Sequence, residues 1–468
     1  MGKSCGANLF GHGEDKMLNL MKFRIIDLYT KTDVVNIYKK CLEEEWLPLY
    51  KLKLLQFLKL KELLIHAYQN TKYYKRLFDE FGFNPKKMEN FNDIKIIPIQ
   101  TKQDIRKNFE DIKSFDFSTY RPSKNRTSGS TGEPFEIYLS GLSHSYLRAL
   151  NYAAWHQAGY NLGDKFAAFA GGSLLPGSIG FMQHAYTFLQ NSTPLPSYHL
   201  NKDYFLSYLN KLQTKKIKYI YGYASALYDF AKTIKDKNLE FSFVKGLFSS
   251  SDMLYPAQRK LIEEVIGIKI IDIYGNPESG LISYECNMHS GYHYGMLNSY
   301  VEITDEEGSN LAENLQGKVI VTSLNSHCFP LIRYDNGDIA ALSNEKCKCG
   351  RGLQKLKNLG GRSRDFIILK NGRHIHGAFF NHLNSIYKAN WLYRYHVIQK
   401  DYDELIFQCM VNREPTIKEL NEIKKEISLG TNNLVKIETQ IVDVIPMTKM
   451  GKYKLISREF ESSSGTNS

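Results

Sequence analysis

From about Val34 to Phe81 apolar residues recur three and four positions apart, as in "LPLYKLKLLQFLKLKELLIHAYQNTKYYKRLFDEFG", and that period predicts helix. Gly82 and the Asn84–Pro85 pair stop it. "FNDIKIIPIQTKQDIRKNF" then reads as a short extended piece, with Thr101 capping a new helix, and "PFEIYLS" alternates as a strand does. Between Leu142 and Phe248 helical runs alternate with short apolar runs ("DKFAAFAGG", "IKYIYGYAS", "VKGLFSS"), the rhythm of a sheet covered by helices. Two more strand-like runs, "GIKIIDIYG" and "GKVIVTSL", precede a polar turn at "RYDNGDIA". Past "NLGGRSRDFIILKNGRHI" the pattern changes to strands "YRYHVIQ" and "ELIFQCMV", a charged helix "TIKELNEIKKEISLG" and a strand "VKIETQIVDV". This predicts a separate small α+β unit. The final "ESSSGTNS" is polar and low in complexity, and no internal repeat is visible.

Composition changes this picture little. The 468 residues are enough for two or three domains, and 43% hydrophobic with 24% charged residues is ordinary for a globular chain. The formal charge of +12 suits an anionic partner, but the lysines are scattered, as on a solvated basic surface. No run is long and apolar enough for a membrane span, and "MGKSCGANLFGHGEDK" has neither a signal-peptide core nor a myristoylation serine, with Gly6 in its place. Seven cysteines, an odd number, argue against a disulfide framework and for a reducing, cytoplasmic setting.

Five short stretches carry candidate chemistry. In "RTSGSTGEPFEIYL" the residues Thr127, Ser128, Gly129, Ser130, Thr131 and Gly132 offer backbone and hydroxyl donors to an anion, although no Walker lysine follows and a plain linker has the same composition. "DIYGNPESG" puts Tyr274, Gly275 and Glu278 at the end of an apolar strand, where α/β sheets place ligands. The ring could lie against a purine and the acid could hold a divalent metal; an ordinary turn with a solvated acid reads the same way. Asp338 in "RYDNGD" could accept two ribose hydroxyls, "GRSRDF" is a charged turn at the junction, and "IPMTKMGKYK" sets Lys452 on a glycine-led loop. Cys347 and Cys349 could close a tetrahedral metal site with Cys286 and a histidine, His293 or His289; free thiols are the alternative.

In this order the motifs resemble the adenylate-forming ligase superfamily, which holds acyl-CoA synthetases and peptide-synthetase adenylation domains. "HAYQNTKYYKRLFDEFGF", "IPIQTKQDIR" and the "EC", "GYH" and "CKCGR" pieces are most similar to phenylacetate–CoA ligases and their capsule-biosynthesis relatives. The resemblance implies an α/β fold: a large multi-layer adenylation domain (1–363, with a helical N-terminal segment and a zinc-binding insertion), a small mobile α+β lid (364–460) and a disordered tail (461–468). It implies that Thr127–Gly132 cover the ATP phosphates, Tyr274 stacks on adenine and Gly275 lies beside it, Glu278 holds Mg²⁺, Asp338 binds the ribose and Arg362 contacts the nucleotide. Lys452 would assist adenylation and Arg364 would be the hinge. Zinc on Cys286, His293, Cys347 and Cys349 would be structural. Pro277 and Phe135 stand where many members carry Thr and Lys, so the phosphate loop is expected to lean on backbone donors and Mg²⁺.

The implied reaction is ATP-dependent, AMP-forming activation of a carboxylic acid, then acyl transfer to coenzyme A. In capsule-type relatives an amine, hydroxyl or carrier thiol is the alternative acceptor. Expected partners are the acid, the acceptor and at most a second copy of the chain. The acid pocket is expected to include Tyr219–Ala226. A zinc-containing, basic nucleic-acid-binding protein is the competing class, and an ATP-binding protein without turnover is a third. His374 and His376 could approach the site, though a hairpin turn explains them as well; the Trp155–His156 pair reads more simply as packing, and "KQDIRKNFEDIK" as a solvated helix face.

Overall fold

A computed structural model describes residues 13–127, 135–170, 181–196, 202–362, 366–381, 383–389, 391–445 and 455–460. It has the mixed α/β architecture expected, with a broad sheet flanked by helices and a smaller C-terminal α+β unit.

Among the described residues the large sheet has 11 strands. Its order is Ser299–Thr304, Gln316–Ser323, Tyr334–Ser343, Lys355–Arg362, Tyr292–Tyr294, Gly280–Glu285, Ile270–Asn276, Gly246–Ser250, Tyr219–Tyr223, Phe166–Ala170 and Ser192–Pro196. The strands from Ile270–Asn276 to Ser192–Pro196 are parallel, and those on its other side are antiparallel. Gly246–Ser250 is buried along its whole length, as a strand covered on both faces must be. Helix Gly141–His156 packs its Tyr152 and Trp155 with Tyr219, Phe248 and Ile271 on one face. Helices Lys202–Thr214, Ala224–Asp236 and Pro256–Ile266 cover the other face through Leu212, Phe230 and Ile262. Strand Ile270–Asn276 is where the sheet changes from parallel to antiparallel, and its C-terminal end turns into the hairpin with Gly280–Glu285.

The N-terminal pattern breaks where the chain chemistry dictates. The continuous run over Val34–Phe81 is three helices, Val34–Glu44, Leu49–Asn70 and Lys72–Glu80. Pro48 starts the second, and Thr71 caps the third by accepting from the backbone N–H of Tyr74. Phe91–Ile96, read from sequence as extended, is a 3₁₀ turn closed by a capping box between Asn90 and Asp93.

In the C-terminal unit Lys436–Ile441, Glu404–Val411, Leu392–Asp401 and Ile456–Arg458 form one sheet in that order. Helix Ile417–Gly430 is started by a Thr416–Glu419 capping box and buries Ile423 and Ile427 on the core of Trp391, Val397 and Phe407. His374 and His376 lie in the short strand of a hairpin with Phe366–Ile368. The tail 461–468 lies outside the described residues.

Candidate functional site

At the end of strand Ile270–Asn276 a tight turn leads into Gly280–Glu285, with a register shift between Tyr274 and Gly275. Gly275 is required there, because a Cβ would lie 2.4 Å from the Gly280 carbonyl oxygen. The Asn276 side chain accepts from the Ser279 N–H at 2.6 Å, and the Pro277 carbonyl accepts from the Asn125 amide at 3.1 Å. That last bond ties the turn to strand Ser123–Thr127, which leads into the hydroxyl- and glycine-rich loop.

The site residues read from sequence converge here where they are described. The Tyr274 hydroxyl donates to Asp338 Oδ2 at 2.7 Å and accepts from Asn336 Nδ2 at 2.8 Å. Asn336 Oδ1 in turn accepts from the Asp338 N–H at 3.0 Å, so one amide fixes the aromatic and the acid together. Strand register sets Arg362 opposite Asp338. Glu278 has a side chain only 5% exposed, and Lys102 Nζ lies 3.2 Å from its Oε1.

Lys102 is a site neighbour that its sequence context concealed. It opens the short helix Lys102–Lys107, started by a Thr101–Asp104 capping box. Gln100 anchors the preceding segment: its N–H donates to the Arg333 carbonyl at 2.8 Å, and its carbonyl accepts from Asp335 N–H at 2.9 Å. The "KQDIRKNFEDIK" segment is therefore not merely a solvated face: Ile105 and Ile112 are buried, and Lys102 points at the buried acid. The ammonium also lies 5.3 Å from the centroid of Phe135, the residue standing where many phosphate loops carry lysine, and the Arg106 guanidinium lies 6.0 Å from the same ring.

A second cluster sits farther along the sheet. One donor atom from each of Cys286, His293, Cys347 and Cys349 lies within 4.8 Å of the others. Cys286 Sγ and Cys347 Sγ are 3.6 Å apart and Cys349 Sγ is 3.3 Å from His293 Nε2. Two thiolates on a tetrahedral zinc would stand about 3.8 Å apart, so the donor set and its spacing fit that ion. The geometry selects His293, because His289 Nδ1 instead faces Glu285 at 3.3 Å. Burial pushes the Cys286 thiol up to about 12. Burial also opposes ionisation of Cys347, but hydrogen bonding with Ser290 and Cys349 brings it down to about 7. Burial lowers His293 to about 4, which leaves a neutral imidazole able to ligate. The cysteine loop is clamped to the N-terminal helices: Arg351 Nε lies 2.9 Å from Glu45 Oε2 and its guanidinium 4.5 Å from the Trp46 ring.

Ser128, Gly129, Ser130, Thr131, Gly132, Arg364 and Lys452 lie outside the described residues, and Thr127 and Arg362 are placed by backbone alone. Tyr219–Ala226 covers a strand and the first turn of the helix after it, where Asp252 Oδ1 accepts from the Ala224 N–H at 2.6 Å. No helix among the described residues is long and apolar enough to cross a membrane.

Comparison with known proteins points in the same direction. Residues 367–459 match the CapK C-terminal domain family. The phenylacetate–coenzyme A ligase of Thermus thermophilus is 26% identical over 345 residues, spanning 70% of this chain and 74% of that protein. Protein CapK of Staphylococcus aureus is 24% identical over 412 residues, 85% of this chain and 87% of its own. A crystal structure of 2-hydroxyisobutyryl-CoA ligase in the postadenylation state has a TM-score of 0.72 at 20% identity, covering 89% of this chain and 91% of that one. By sequence the chain is similar to the phenylacetate–coenzyme A ligases and to CapK, and its fold is that of 2-hydroxyisobutyryl-CoA ligase.

Proposed function

We propose that the protein activates a carboxylic acid with ATP, releasing pyrophosphate and forming an acyl-adenylate, and then transfers the acyl group to the thiol of coenzyme A. The observation that carries this reading is the joining of Tyr274, Asn336 and Asp338 at a strand end, beside the buried Glu278 and the hairpin that leads into the phosphate loop. A nucleotide lying there would meet the Tyr274 ring with its base and the Asp338 carboxylate with its ribose. Ser128–Gly132 would donate to its phosphates from the loop. Glu278 would hold Mg²⁺ through its hard carboxylate oxygens, and the ion when bound neutralises charge on the phosphates. Lys102, paired with Glu278 and 5.3 Å from the Phe135 ring, would stand in for the loop lysine that Phe135 replaces.

The reacting acid attacks the α-phosphate in line, and Lys452 on its glycine-led loop stabilises the charge that develops. Rotation of the C-terminal unit about Arg364 then exchanges that lysine for the acceptor. Zinc held by Cys286, His293, Cys347 and Cys349 is structural in this reading, since four protein donors leave no open position. In a variant of this reading an amine, hydroxyl or carrier thiol takes the acyl group instead of coenzyme A. Incubating the protein with ATP, Mg²⁺ and a set of carboxylic acids, with and without coenzyme A, tests the proposal. AMP formed with each acyl-CoA by mass spectrometry supports it. AMP and acyl-adenylate without thioester support the variant acceptor, and ADP as the only nucleotide product overturns both.

A further inference from the structure

Helix Gly13–Thr30 is apolar on both sides, and among the described residues only one side is covered. Its inward face buries Phe23 and Ile26, with Phe23 edge-on to Tyr152 of helix Gly141–His156 at 5.5 Å. Polar ties hold that face to the rest of the protein. Asp27 Oδ1 accepts from the Val34 N–H at 2.9 Å and Oδ2 from the Val35 N–H at 3.1 Å, which fastens the helix to the start of Val34–Glu44. Asn191 Nδ2 donates to Asn19 Oδ1 at 3.1 Å, and Lys22 Nζ donates to Asn191 Oδ1 at 3.2 Å. The helix therefore cannot roll to hide its other face without giving up these bonds.

Met17, Leu18, Met21, Ile25, Leu28 and Tyr29 make up that other face, and each is between 51% and 80% exposed. At 3.6 residues per turn the six fall in one sector of about 120° opposite Phe23. Lys22 and Arg24 stand at its borders, and no charged residue between Met17 and Tyr29 falls inside it. Phe188 on the neighbouring helix Phe181–Leu189 is itself exposed, lies against Lys22 and extends the patch. At roughly 100 Å² for each large side chain so exposed, the patch amounts to roughly 700 Å² of apolar surface. That exceeds the largest patch of a typical monomer and approaches the ~800 Å² that each partner gives to a standard interface.

Spacing and charge say what covers it. Leu18, Met21, Ile25 and Leu28 are three, four and three positions apart, the repeat through which one helix packs its side chains into the gaps of another. Pairing about a two-fold axis sets this seam against itself, so a single chain supplies both halves of the contact. A lipid surface fits less well: the helix carries three acids and three bases, whereas a helix that lies on a membrane is rich in Lys and Arg. We infer that two copies of this chain associate through helix Gly13–Thr30, the seam of Leu18, Met21, Ile25 and Leu28 in one copy packing on the seam of the other.

The test is the mass of the full-length protein by sedimentation velocity, from submicromolar to tens of micromolar. Wild type is expected to become a dimer as concentration rises. Ile25→Glu and Leu28→Lys should each weaken association roughly 100-fold or more, because every dimer would then enclose two like charges. Both side chains are exposed in the single chain, so far-UV circular dichroism should match wild type in each variant. Ile417→Glu, at an exposed apolar position in the C-terminal unit, should leave association unchanged. Wild type that stays monomeric throughout overturns the inference, and binding of that monomer to vesicles of phosphatidylglycerol and phosphatidylethanolamine would assign the face to lipid instead. A dimer that survives in both seam variants overturns it as well, because another surface would then join the copies.

Discussion

Replacing Arg394 by alanine strands a charge between the two parts of the molecule. Arg394 Nη2 lies 2.7 Å from Oδ2 of Asp229, on helix Ala224–Asp236, and the Tyr393 hydroxyl donates to Oδ1 at 2.5 Å. The paired side chains are only 9% and 16% exposed, so solvent screens them poorly. Burial raises the pKa of Asp229 against the pull of Arg394, which means the carboxylate is unfavourable without its partner. Breaking a fully buried pair on one side costs about 3–5 kcal/mol. If the C-terminal unit rotates as proposed, undocking rehydrates Asp229, so the loss falls on the docked arrangement, and partial exposure brings it to about 2–3 kcal/mol. The docked population then drops roughly 30- to 150-fold. Rapid-quench measurement of pyrophosphate release should show adenylation slowed by up to that factor. Transfer from a supplied acyl-adenylate, and the main thermal unfolding transition, should hardly change. Adding Asp229→Ala should recover much of the loss, because no charge is then left alone. Equal slowing of both half-reactions, or a double variant as impaired as the sum of the two singles, would refute the reasoning.

Changing Cys347 and Cys349 together to serine should reduce bound zinc, measured by elemental analysis of the purified protein, and lower the melting temperature by several degrees or more. Lys452→Ala should slow acyl-adenylate formation by ~10²–10³-fold and spare the second half-reaction, a split read by assaying each half separately. Lys102→Ala should raise KM for ATP more than it lowers kcat, in steady-state kinetics at saturating acid. Burial, with a smaller push from Arg148, holds His144 down to about 4 from its usual 6.5. The unfolded chain therefore takes up a proton that the folded chain refuses, and stability falls as pH drops from 6.5 toward 4. His144→Gln should remove about 2 kcal/mol of that slope in denaturant titrations at several pH values, after discounting its partial exposure.

The motif order was legible because each piece is local: a glycine-rich turn, an aromatic and an acid around a tight bend, a Gly-Asp turn. The parallel half of the sheet was legible for the same reason, since its strands are short apolar runs set between helices. What escaped is what depends on distant partners. Lys102 sits among alternating charges that look like any solvated helix face, and nothing within "TKQDIRK" tells that Glu278 is its neighbour. The Asp229–Arg394 pair joins residues 165 positions apart. Helix Gly13–Thr30 was not anticipated: it is apolar on both sides, with Phe23 and Ile26 buried and Met17, Met21, Ile25 and Leu28 exposed, so no single face stands out. The long helical run over Val34–Phe81 hid two breaks because apolar spacing continues across Pro48 and Thr71 while the backbone does not. The choice between His289 and His293 needed the sheet, which carries His293 opposite Lys355 and leaves His289 in a turn.

The most direct test of the proposed activity is acid-dependent exchange of labelled pyrophosphate into ATP, which reports reversible formation of an acyl-adenylate without needing the acceptor. The account predicts exchange that requires both a carboxylic acid and Mg²⁺, persists without coenzyme A, and is strongly reduced in Glu278→Gln. Exchange independent of any acid, or ATP consumed only to ADP and phosphate, would contradict it.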